Sequence, residues 1–142
     1  MRIGIVGGVE RLHDRLSAAA SAAPFEMAAH GESYMGPKTL TVQIAPSAKG
    51  DKALIKVFGI NHPWDGKVVM ADLREDPLGR IDYVIRWQSK EWVLLKNHAE
   101  RGIRLSLPGA ADLALTFQRG DSADVIPAHI ASDYERPDGA VK

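Results

Sequence analysis

Ile81-Asp82-Tyr83-Val84-Ile85-Arg86-Trp87-Gln88-Ser89-Lys90-Glu91-Trp92-Val93-Leu94-Leu95-Lys96 reads as two strands and a turn. From Arg80 to Gln88, Ile81, Tyr83, Ile85 and Trp87 fall on one face and Asp82, Val84, Arg86 and Gln88 on the other, the period of two that a half-buried strand requires. Ser89-Lys90 is short enough for a hairpin and leads into a second strand, Glu91 to Lys96. Trp87 and Trp92 then belong with Tyr83 in core and cross-strand packing, and not in a base-stacking platform.

The same period extends in both directions. Downstream, Ile103, Leu105 and Leu107 alternate with Arg104 and Ser106, and Leu113, Leu115 and Phe117 alternate with Ala114, Thr116 and Gln118. Gly120-Asp121 turns the chain, and Val125 to Ile130 reads as a last strand whose Pro127 suits an edge. Upstream, Val68, Val69 and Met70 begin a strand toward Leu73, Ala53 to Ile60 forms another, and Leu40, Val42 and Ile44 alternate with Thr39, Thr41 and Gln43. Gly36-Pro37, the stretch from Pro46 to Lys52, Asn61 to Gly66 and Arg74 to Gly79 are the turns and loops between them. About seven or eight strands at this spacing predict a mainly antiparallel body, a sandwich or a barrel.

The first residues follow a different pattern. Ile3, Ile5 and Val6 form a short apolar strand, Gly7-Gly8 turns the chain, and Leu12, Leu16, Ala19, Ala20 and Ala23 recur at helical spacing up to Pro24. Phe25 to Ala29 then reads as a second strand, with Phe25, Met27 and Ala29 on one face. The expected fold class is α+β: a β-α-β element over 1–35 joined to a β-rich body over 36–131, one compact domain, with 132–142 a polar, turn-rich and mobile tail.

The passage Arg2-Ile3-Gly4-Ile5-Val6-Gly7-Gly8-Val9-Glu10-Arg11, with Leu12, Leu16, Phe25-Glu26 and His30-Gly31, resembles the opening of a bacterial family of short Rossmann-like domains of unknown function. The resemblance covers residues 2–40. It implies a β-α-β unit and carries no settled activity.

Several residues are candidates for binding. A glycine turn ahead of a helix presents free N–H groups to an anion, so Gly7, Gly8 and Val9 could hold a phosphate, although the spacing is not G-x-G-x-x-G and Glu10 would repel one. His30 and Glu32 form a polar cluster at the carboxyl end of the expected second strand, where open α/β sheets take ligands. Trp64, beside His62 in a turn, is either an exposed aromatic anchor for a partner or a ring folded back over the core.

Composition narrows the function classes. With 142 residues, 45% hydrophobic and 25% charged, the chain has the make-up of one globular domain. Lysine plus arginine and aspartate plus glutamate number 18 each, so no net charge draws it to nucleic acid or to an anionic membrane. The absence of cysteine excludes disulfides and thiolate sites and suits a reducing, cytoplasmic setting. No apolar run approaches the roughly 18 residues of a membrane-spanning helix. The five histidines are scattered without the spacing of a metal motif, and no nucleophile elbow or Walker loop occurs, so neither metal nor cofactor is expected. The reading is a small binding protein that engages a protein partner or its own copies through a sheet edge and loops. The alternative is a nucleotide or phosphate binder, or an enzyme, that uses Gly7, Gly8 and His30.

Overall fold

The computed structural model describes residues 25–98 and 102–141. They form eight antiparallel strands closed into a barrel: β1 (Glu32–Met35), β2 (Thr41–Pro46), β3 (Lys52–Phe58), β4 (Lys67–Glu75), β5 (Ile81–Trp87), β6 (Lys90–His98), β7 (Gly102–Leu105) and β8 (Leu113–Phe117). Each strand pairs with the next, and β8 returns to β1 through Tyr34↔Phe117 and Met35↔Thr116. Closure removes the two edges that an open sheet of this length would leave. The edge expected to dock a partner is therefore paired within the chain.

The alternation seen in the sequence sets which face turns inward. Val42, Ile44, Ile55, Val57, Val69, Ala71, Tyr83, Ile85, Ile103, Leu105 and Leu115 occupy the inner positions and are buried in one core. Between Tyr83 and Val84 the register of β5 on β6 shifts, leaving Leu94 without a partner, so Leu94 and Leu95 are both fully buried. The β5–β6 turn falls one residue earlier than expected, on Gln88 and Ser89, with φ of 53° and 64°. Positive φ at both central residues gives the twist that a two-residue hairpin needs.

One barrel end is filled by tryptophans. Trp64 and Trp87 lie 6.3 Å apart and Trp87 and Trp92 5.9 Å apart, each edge to face. The Trp92 indole N–H donates to the Ser106 carbonyl at 2.6 Å, which satisfies its one polar atom.

Two short helices complete the described residues, α1 (Arg119–Ala123) and α2 (Pro127–Glu135). The strand expected over Val125 to Ile130 is thus a helix start. Pro127 fits the first helical turn because that position has no N–H bond to lose. Pro127, Ile130 and Ala131 are buried, and Ile130 and Ala131 pack over Ala45, Leu54 and Val68 on the outside of β2, β3 and β4. Those strands are covered on both faces, which accounts for their unbroken apolar pairs Leu54-Ile55 and Val68-Val69. The residues expected to form a tail continue this packing: Val68 N–H donates to the Gly139 carbonyl at 2.7 Å, and Val141 N–H to the Val68 carbonyl at 2.9 Å.

The expected α+β class is corrected by the N-terminal side of the barrel. Phe25 to Ala29 makes one antiparallel bridge, Met27 to Ser47, and no parallel strand, so the β-α-β element is not formed. Its first strand and helix, residues 3–23, lie outside the described residues. The first barrel strand is instead Glu32–Met35, at the end of the expected β-α-β element, and it runs antiparallel to both neighbours. Its signal is hidden because the buried residue on its outer face is a serine, Ser33, whose N–H donates to Ser122 Oγ in α1.

Outside the region under α2, the outer face carries Lys52, Asp72, Arg74, Arg86, Lys96 and Arg104. A charged exterior around an apolar interior is the inverse of a membrane-spanning barrel. Among the described residues no helix is long and apolar enough to cross a membrane.

Candidate functional site

At the end of the barrel opposite the tryptophans, the inner face turns polar. Glu32 and Tyr34 are two apart on β1 and share the inward face. The Tyr34 hydroxyl donates to Glu32 Oε1 at 3.2 Å. Tyr34 also meets the Phe117 ring edge to face at 5.5 Å, which fixes its plane. Tyr83 enters from β5, between Leu73 and Leu95 on the neighbouring strands. Asn97 lies at an inward register position near the same end, between Ile81 and Ile103.

Burial makes this group unusual. Tyr34 and Tyr83 are 6% and 5% exposed. Among the described residues the Tyr83 hydroxyl has no hydrogen-bond partner, although buried hydroxyls ordinarily have one. Burial pushes the Tyr83 hydroxyl up to about 12, with the Glu32 charge adding to the effect. Burial raises Tyr34 further, helped by the Glu32 charge, by Tyr83 and by the hydrogen bond to Glu32. Both phenols therefore stay protonated through the physiological range. One donates to the carboxylate, and the other is a buried donor and acceptor without a described partner.

The site expected from the sequence is dispersed by the fold. Gly7, Gly8 and Val9 lie outside the described residues. His30 is exposed ahead of β1, whereas Glu32 turns into the barrel, so the two do not form one cluster. His62 and Trp64 sit at the opposite, tryptophan-filled end. His62 Nδ1 accepts the Trp64 N–H at 3.1 Å, which leaves Nε2 to donate to the Pro108 carbonyl at 2.9 Å. Trp64 is 9% exposed and belongs to the core. Of the two readings of Trp64, the structure takes the ring folded over the core.

Comparison with protein-family models, curated proteins and solved structures finds no match for this chain.

The resemblance to a Rossmann-like family falls largely on residues outside the described ones. The site's chemistry thus rests on its own geometry. Among the described residues no group of three or more His, Asp or Glu side chains converges to hold a metal ion. The arrangement offers a carboxylate and two neutral phenols at the rim of an apolar barrel. Such a set can accept a hydrogen bond or a positive charge at Glu32 and donate or accept one at Tyr83. The sequence signals were present in part: Glu32-x-Tyr34 places two polar groups on one strand face, and Tyr83 has the one hydroxyl on the apolar face of β5. What brings them together is the pairing of strands far apart in the chain.

Proposed function

We propose that this protein binds a compact ligand bearing a hydrogen-bond donor, either an amine or a hydroxyl group, at the barrel end formed by Glu32, Tyr34 and Tyr83. The observation that carries the reading is the Tyr83 hydroxyl, 5% exposed and without a partner among the described residues. An unpaired buried hydroxyl costs about 1–3 kcal/mol, and a bound group that completes it recovers that cost. An eight-stranded barrel is just wide enough to be filled by its own side chains or to hold one small ligand. A binding role at the barrel end also suits the closure of the sheet better than docking at a strand edge, because β1 and β8 are paired with each other.

The reading is tested on the full chain with ring-labelled tyrosine. Small amines and polyols are titrated while the Tyr34 and Tyr83 ring resonances are followed. A ligand of this class shifts both rings together and binds at least tenfold more weakly to Glu32→Gln and to Tyr83→Phe, about 1.4 kcal/mol each. Rings that respond to none of the compounds, or a response that survives both substitutions, would overturn it.

A further inference from the structure

A second feature lies on the outer surface, away from the tyrosines. Across the sheet, charged side chains on the outer face are matched by sign. Lys52 faces Asp72, Arg74 and Lys96 both face Asp82, and Arg86 faces Glu91. Lys52 reaches Asp72 at 2.5 Å, and Arg74 holds Glu91 with both terminal guanidinium nitrogens. Lys96 and Arg104 break the rule. They are direct register partners on β6 and β7, two cations facing each other where like charges are destabilising.

Among the described residues the pair is only partly relieved, by Asp82 on the Lys96 side. Asp82, the neighbour of Lys96 on its other side, is in contact with His98 Nε2 at 3.1 Å. The neighbour of Arg104 on β8 is Ala114. Among the described residues neither cation lies within ion-pair distance of a carboxylate. Both line a surface cleft of about 520 Å³, together with His98, Gly102 and Asp112. Gly102 borders the cleft, and a Cβ there would meet nothing within 4 Å.

We infer that this cleft binds a small organic phosphate, with the phosphate between Lys96 and Arg104. An oxyanion turns this repulsive cross-strand pair into a charge-matched triad, and the arginine fork can engage two of its oxygens. The cleft is several times larger than a phosphate, and its size is in the usual range of small-molecule sites. Asp112 supplies an acceptor on the wall, which selects a hydroxylated body behind the phosphate and repels a second anionic group. A sugar phosphate meets these conditions.

The test is a titration of the isotope-labelled full chain with ribose 5-phosphate, inorganic phosphate and ribose at low salt, read from backbone amide shifts. Ribose 5-phosphate is expected to saturate and to move the amides of residues 96–98, 102–104 and 112. Ribose alone is expected to leave them in place, and inorganic phosphate to act on the same residues at least tenfold more weakly. Arg104→Gln is expected to weaken ribose 5-phosphate at least tenfold yet raise the melting temperature of the free protein, since it removes the repulsion. Lys96→Gln should act in the same two directions, and Arg104→Lys, which keeps the charge and loses the fork, should bind more tightly than Arg104→Gln and more weakly than the unaltered chain. No saturable shift, equal affinity for inorganic phosphate, or undiminished binding in both glutamine variants would overturn the inference. A site that serves only the fold would lose stability in these variants instead of gaining it.

Discussion

Lys56 on β3 and Asp133 on α2, 77 positions apart in the chain, meet at 2.6 Å with side chains only 23% and 17% exposed. The pair fastens α2 across the outer face of the barrel, beside the apolar contacts of Ile130 and Ala131. Asp133 is shared with Arg136 at 3.1 Å, so it also ties the helix end. Replacing Asp133 with Asn should lower the unfolding free energy by about 1–3 kcal/mol, the range of a charge-assisted bond that is partly shielded from water. Urea denaturation measures it, and a double-mutant cycle with Lys56→Met isolates the pair. A coupling of only a few tenths of a kcal/mol would mean that solvent screens the contact.

Alkaline pH should unfold the barrel through its inner tyrosines. Tyr83 is pushed up to about 12 and Tyr34 is raised as well, each first by burial and then by the Glu32 charge. Their folded values lie above their unfolded ones. The stability they contribute is therefore complete below pH 10 and declines as pH rises toward 12, by about 1.4 kcal/mol per pH unit for each tyrosine. Phenolate absorbance and circular dichroism should change together in that window. Glu32→Gln should move the phenolate transition to lower pH, because it removes the negative charge beside both rings.

Two glycines with nearly the same backbone angle should respond differently to alanine. Gly59 has φ of 79°, and a Cβ there would stand 2.1 Å from the Thr39 carbonyl oxygen, whose own side chain donates to the Gly59 carbonyl at 2.7 Å. Gly50 has φ of 77° and open space around the same position. Gly50→Ala should cost about 1 kcal/mol, the strain of the left-handed conformation alone. Gly59→Ala should cost roughly 3 kcal/mol or more, because the loop must also move. Melting temperatures of the two variants, compared directly, decide it.

Ser33 and Ser122 are a polar joint between β1 and α1. Ser33 N–H donates to Ser122 Oγ at 2.8 Å, and that hydroxyl donates to the Ser33 carbonyl at 3.3 Å. Ser122→Ala strands a buried N–H and should destabilise by about 1–3 kcal/mol. Hydrogen exchange should show the Ser33 amide losing protection well before the amides of β3. Unchanged protection at Ser33 would mean that another group or water replaces the hydroxyl.

The sequence by itself determined β2 through β8 to within a few residues, because each has an apolar face repeating every second position: Val42 with Ile44, Ile81 through Trp87, Leu113 with Leu115. It also made the packing of Trp87 and Trp92 against the core legible. The helical stripe Pro127, Ile130, Ala131 was present too, but the β-branched residues and proline around it read equally as an edge strand. Closure, β1 and the candidate site were decided by the tertiary structure alone. A four-residue strand with serine on its covered face has no periodic signal, and its pairing with β8 joins residues more than eighty apart. Glu32, Tyr34 and Tyr83 carry no local motif because their meeting depends on strand order. Only the closed sheet brings the three side chains to the same end of the barrel.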